Sequence, residues 1–257
     1  MSRARHIDLN ADVGEATDPD GVETERALLG LVTTAHVACG GHAGDEETMT
    51  ATVAAAREHG VRVGAHPSYP DREGFGRRPM EMESDELRGA LREQLRALAA
   101  VCAAAGTEIA TVKAHGALYD EVAKGGVIYQ VLRDVAAAEC PPLTELVLRS
   151  GCHAMAMAVR DGVAAIEEGF CDRAYRHDGG LADRTTPGAV LRDPGEAASQ
   201  ALSLARGAVA ASDGSVLTLW VDTLCIHGDS PGAVPIATAV RRALAEAGME
   251  VLAPARA

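Results

Sequence analysis

The stretch TTAHVACGGHAGDEETMTATVAAAREHGVRVGAH, residues 33–66, decides the fold. A short apolar run (33–40) ends in glycines and His42, a longer segment follows (45–60), and a second apolar run closes it (61–66). The middle segment carries Asp45, Glu46 and Glu47 at its start and His59-Gly60 at its end. That charge order suits a helix dipole, and glycine suits the left-handed C-terminal cap. Strand, helix and strand in this order make the repeating unit of a parallel sheet.

The same alternation extends both ways. Further strand runs are expected at 6–13, 108–115, 143–150, 162–170 and 215–227, with helices over 84–106, 194–210 and 231–248. Ser84 reads as an N-cap and Gly106 as a stop. No composition shift or long linker interrupts the chain, so residues 1–257 are expected to form one catalytic domain. The expected architecture is a parallel β/α barrel, a seven-stranded variant of the eight-stranded form. The alternation also permits an open doubly wound sheet.

Bulk properties narrow the function. The 257 residues carry a formal charge of −13, which disfavours nucleic acid because phosphate neutralisation needs clustered Lys and Arg. Six scattered cysteines form no C-x-x-C pair, against a disulfide framework or structural zinc site. The N-terminal segment lacks the apolar core of a secretory signal, and no run approaches the roughly 18 residues of a membrane span. A soluble, cytoplasmic protein is expected.

Position carries the chemistry. In HIDLNADVGE (6–15), Asp8, Asn10 and Asp12 alternate with apolar residues and so share one face. Turned into a barrel mouth, they need ion, ligand or hydrogen-bonding partners. Other strand runs end alike: His42 after VACGG, His66 after VGA, Lys113 and His115 after ATV, Asp172-Arg173 after EEGF, and His227-Gly228-Asp229 after DTLCI. Barrel enzymes place their chemistry at these C-terminal strand ends. Asp8, Asp12, His42, His66, His115, His227 and Asp229 make a carboxylate–imidazole set suited to acid/base or metal-assisted attack of water on a carbonyl-type carbon. Lys113 would balance developing negative charge. Arg77 and Arg78, on the long loop 66–80, could clamp a substrate carboxylate under a lid. His6, His36, His59, His153 and His177 read as structural or solvated. No P-loop, dinucleotide fingerprint or nucleophile elbow is present.

The motifs IDLNADVGE, ACGGHAGDEETM, GAHPSYPDREGFGRR, VKAHGALYD, CDRAY and CIHGDSPGAV, running in order from about Ile7 to Gly248, resemble those of the LamB/YcsF family. The resemblance implies the A subunit of an ATP-dependent 5-oxoprolinase, opening 5-oxo-L-proline to L-glutamate with partner subunits B and C. It also implies a barrel similar to the polysaccharide-deacetylase class, with a divalent metal held at strand ends, and an ATP site shared with or supplied by the partners. Carried over, the site comprises Asp8, Asn10, Asp12, His42, Asp45, His66, Lys113, His115, Asp172, Arg173, His227 and Asp229. The chain departs from the usual pattern at Gly41 (Phe), Ser68 (Gly), Ala114 (Pro), Asp120 (Asn) and Cys171 (Ala). Two other readings suit the same residues: a stand-alone metal-dependent deacetylase or amidohydrolase, and a non-catalytic small-molecule-binding subunit.

Overall fold

The computed structural model describes residues 6–230 and 232–254. Six parallel strands run in chain order: β1 (His6–Val13), β2 (Thr34–Ala38), β3 (Arg62–His66), β4 (Thr111–Val112), β5 (Glu145–Arg149) and β6 (Ala165–Phe170). An antiparallel hairpin of β7 (Ala208–Ala210) and β8 (Val216–Thr218) follows, then a seventh barrel strand, β9 (Thr223–His227). β1 pairs with β2 on one side and β9 on the other, so Asp12 stands beside both His36 and His227. That double pairing closes a seven-stranded parallel barrel and excludes the open sheet. A short β10 (Glu250–Val251) adds to the start of β1.

Eight helices are described around the ring: α1 (Pro19–Leu29), α2 (Glu46–Glu58), α3 (Ser84–Ala104), α4 (Gly116–Ala123), α5 (Gly126–Glu139), α6 (His153–Asp161), α7 (Pro194–Ala205) and α8 (Ala233–Glu246). α3 shows why they dock. Leu87, Leu91, Leu95 and Leu98 recur at helical spacing and are fully buried. Each such leucine contributes about 1.5–3 kcal/mol of burial. Among the described residues, no helix is long and apolar enough to cross a membrane.

The run 215–227 is two strands, and Ala208–Ala210, read as helix, is β7. Ser84 is the first helical residue; Glu83 precedes it as the cap position and makes no side-chain cap bond. The 108–115 run contracts to Thr111–Val112. Pro231, where the last helix was expected to start, lies outside the described residues.

The barrel interior is polar and layered. Asp8, at the bottom, accepts from the hydroxyls of Thr33, Thr34 and Thr223. Asn10, one layer up, donates to Glu168 and Thr223 and accepts from Lys113 at 3.2 Å. Asp12 tops the stack. With about 3.3 Å per residue, Asp8 lies roughly 13 Å back along the strand from Asp12. The shared face was legible; its placement at the mouth holds only for Asp12.

Candidate active site

At the C-terminal ends of the strands a cavity of about 890 Å³ opens, lined by Asp12, His66, Arg77, Lys113, His115, Arg173 and His227 among others. Lys113, from the end of β4, is buried and reaches across the barrel. Its ammonium lies 2.7 Å from Asp12 Oδ1 and 2.9 Å from Glu168 Oε1. Burial pulls its pKa down, but the negative charge of Asp12 and Glu168 outweighs this and holds it well above the lysine norm. Burial likewise raises Asp12, yet the charges of His66 and Lys113 win and keep it ionised well below the usual range. Glu168 accepts a further bond from the Tyr119 hydroxyl at 2.7 Å.

On one side of Asp12 stand three histidines. His66 Nε2 is 3.4 Å from Asp12 Oδ2 and 3.0 Å from His115 Nδ1. His115 stacks face to face on His42, with ring centroids 3.7 Å apart. His42 Nε2 contacts Glu15 Oε1 at 2.8 Å. Burial drives His42 down to about 4 despite that hydrogen bond. Burial also lowers His66, but the Asp12 charge lifts it above its ordinary value. Glu15 is placed by Gly14, whose φ of +74° turns the chain just past β1. The Glu25 carboxylate accepts the backbone N–H groups of Gly14, Glu15 and Ala16 and pins this turn.

Loop 67–80 seals the histidine side. Phe75 adopts φ +53°, a costly left-handed conformation for a non-glycine residue, and its carbonyl accepts from His115 Nε2 at 2.9 Å. A Cβ on Gly76 would lie 2.9 Å from His42 Cβ, so only glycine allows this approach. The loop was expected as a lid. In the structure Arg72 ties it to the carbonyls of Gly40 and Gly44, and Arg78 ties it to Asp71.

On the opposite side His227 ends β9. Asp172 accepts its backbone N–H at 3.1 Å and faces its Nδ1 at 2.9 Å. A carboxylate only accepts, so Nδ1 carries the hydrogen and Nε2 is left to exchange protons with a ligand. Arg173 is 7% exposed, donates to Ala182 O, and has no hydrogen-bond partner for Nε among the described residues. Burial and the neighbouring Arg184 push its guanidinium down to about 10.

Of the residues singled out from sequence, Asp12, His66, Arg77, Lys113, His115, Arg173 and His227 meet at the cavity. His42 and Asp172 lie behind them, orienting Glu15 and His227. Asp229 pairs with Arg77 at the rim. Asp8 and Asn10 belong to the lower layers. Asp45 caps α2, accepting from Thr48 N, and Arg78 is turned to Asp71; neither lines the cavity. Glu15 and Glu168 were missed. Glu168 shares strand parity with Phe170, a signal that was available; Glu15 follows a turn, where parity gives no guide.

Among the described residues, two groups have donor atoms that converge as a metal site would: Glu15, His42, His66 and His115, and Asp12, Cys225 and His227. The second already surrounds an ammonium, since Lys113 Nζ lies 3.2 Å from Cys225 Sγ and 2.7 Å from Asp12. Only the first fits the divalent ion that the resemblance implies.

The chain is 45% identical to the 5-oxoprolinase A subunit of Methylococcus capsulatus over 97% of its length and 96% of that relative's. It is 44% identical to the 5-oxoprolinase A subunit of Mycobacterium avium, over 96% of this chain and 98% of that one. A crystal structure of a lactam utilization protein from Thermus thermophilus superposes with a TM-score of 0.87 at 39% identity, covering 97% of this chain and all of that one. A family 4 carbohydrate esterase from Streptomyces lividans shares the fold alone, with a TM-score of 0.50 and 11% identity over 96% of this chain and 91% of the esterase. The LamB/YcsF family model matches residues 7–257, and the chain belongs to that family.

Proposed function

We propose that this chain is the A subunit of a 5-oxoprolinase, a cyclic-amide hydrolase that opens 5-oxo-L-proline to L-glutamate coupled to ATP hydrolysis, working with B and C subunits. The observation that carries the proposal is the likeness, over 97% of the chain, to a protein of that name. The cavity supplies suitable chemistry. A five-membered lactam is a poor electrophile. Transfer of the ATP γ-phosphoryl group to the lactam oxygen gives an O-phosphorylated imidate and ADP. Water then adds to that carbon, the C–N bond breaks as the ring nitrogen takes a proton, and the resulting γ-glutamyl phosphate is hydrolysed by a second water to glutamate and phosphate. The partner subunits provide or complete the nucleotide site.

In this scheme Arg173, buried and with its Nε unpartnered among the described residues, anchors the substrate carboxylate. Lys113 balances charge on the lactam oxygen or its phosphate. His227, oriented by Asp172, takes the proton from water and returns it to the ring nitrogen. Asp12 keeps the Lys113 ammonium charged and holds both Lys113 and His66 in place.

The test is glutamate formation from 5-oxo-L-proline with and without ATP, for this protein alone and with B and C partners. Turnover only with ATP and partners is expected. ATP-free turnover by the chain alone would instead support a metal-dependent amidohydrolase, the reading favoured by the converging histidines.

A further inference from the structure

Two of the cavity histidines have tautomers set by their surroundings. His66 Nδ1 lies 2.8 Å from Lys113 O, and His115 Nε2 lies 2.9 Å from Phe75 O. A backbone carbonyl only accepts, so both of these ring nitrogens carry hydrogen. In a neutral imidazole the remaining nitrogen is then a bare lone pair. These lone pairs, His66 Nε2 and His115 Nδ1, face each other at 3.0 Å.

Carboxylates crowd the same point. Glu15 Oε1 stands 3.3 Å from His115 Nδ1 and 3.8 Å from His66 Nε2. Asp12 Oδ2 is 3.4 Å from His66 Nε2. Acceptors converging in a buried pocket repel one another unless a cation sits among them. The Lys113 ammonium does not serve here, because its contacts are Asp12 Oδ1, Glu168, Asn10 and Cys225 on the other side of Asp12. His42 offers one hydrogen. Its Nδ1 is buried without a partner, so the proton belongs on Nε2, donating to Glu15.

We propose that Glu15, His66 and His115 are the protein ligands of one divalent transition-metal ion of the Zn²⁺ class. Three features agree. Two imidazoles and a carboxylate suit Zn²⁺ and its neighbours better than Mg²⁺ or Ca²⁺, which take oxygen shells. Both histidines donate their outer N–H to fixed backbone carbonyls, the arrangement that orients metal-binding imidazoles. Zinc bonds of about 2.0–2.2 Å place tetrahedral ligand atoms roughly 3.3 Å apart. The three observed separations, 3.0, 3.3 and 3.8 Å, bracket that spacing. His66 and His115 also line the cavity, so the ion would border the substrate space. The rival occupant is a proton, making one of the histidines an imidazolium.

The test reads binding and does not depend on which lactam is turned over. Protein stripped with a chelator is titrated with Co²⁺, following its visible d–d absorption, and then challenged with Zn²⁺. One saturable equivalent, displaced by Zn²⁺, is expected. Glu15→Gln, nearly the same shape, and His115→Ala should each weaken Co²⁺ binding at least about 100-fold. His227→Ala should bind as wild type. Thermal unfolding without metal reports whether each variant folds, and Zn²⁺ should raise the Tm of wild type but not of Glu15→Gln. Absence of a saturable site, or one unaffected by Glu15→Gln, overturns the proposal in favour of the proton. Loss in His227→Ala with retention in Glu15→Gln would move the ion to the Asp12 group and overturn it as well.

Discussion

Replacing Lys113 by methionine keeps the bulk of the side chain and removes its charge. The ammonium lies 2.7 Å from Asp12 and 2.9 Å from Glu168, all three groups being buried. At an effective dielectric near 20, each attraction is worth about 6 kcal/mol before desolvation is subtracted. The variant leaves two buried carboxylates without their shared cation. Glu168 keeps its bonds from Tyr119 and Asn10, and Asp12 keeps His66, so the loss is partial. Breaking a buried pair by removing one partner typically costs about 3–5 kcal/mol. For a chain of this size that corresponds to a fall in Tm of about 6–20 °C. Calorimetry checks it, with Lys113→Met/Glu168→Gln as the companion. The double variant removes one orphaned charge and should recover at least about 1 kcal/mol relative to Lys113→Met. A Lys113→Met protein that melts with wild type would refute the claim that this lysine is the keystone of the interior.

Other perturbations have distinct signatures. Arg173→Met should raise KM for the lactam and lower kcat/KM by about 10- to 150-fold, the loss of a charged hydrogen bond; the resting protein should melt no lower than wild type, because a buried unpaired charge is gone, and steady-state kinetics beside calorimetry separates the two effects. Asp172 has a folded pKa held down by the His227 charge and hydrogen bonds, which outweigh burial. Its contribution to stability is therefore present above the unfolded value of about 3.9 and lost as pH falls through the folded one; denaturant titrations from pH 5 downward should show a shallower decline for Asp172→Asn than for wild type. At Gly41 an added Cβ would lie 2.4 Å from both Gln94 Oε1 and Ser68 Oγ. Gly41→Ala should cost about 1–3 kcal/mol, and adding Ser68→Gly should restore part of it, as chemical denaturation would show.

Much of this was legible because period two is a strong signal in a barrel strand. Asp8, Asn10 and Asp12 could be placed on one inward face from HIDLNADV alone, and histidines at the ends of β3 and β9 followed from strand-end logic. Height within the barrel was not legible. Whether an inward residue faces ligand or a threonine layer depends on register with Thr34 and Thr223, over 200 residues apart in the second case. Glu15 escaped because it follows a glycine turn, and its partners His42 and His115 come from distant loops. The hairpin β7–β8 escaped because Ala-rich GAVA continues a helical composition, and only pairing with residues 216–218 makes it a strand. Asp45 and Arg78 sit inside strong motifs yet serve local structure, a cap and a loop clasp. Motif membership does not separate such residues from those at the cavity.

The central claim is that the lactam ring opens in the cavity at Asp12, Lys113 and His227. Its most direct measurement is glutamate release from 5-oxo-L-proline and ATP by the assembled subunits when this chain carries Asp12→Asn. Subunits that still assemble, with turnover reduced by about two orders of magnitude or more, are the predicted result. Turnover equal to that of wild type would contradict the account and leave this chain as a binding subunit.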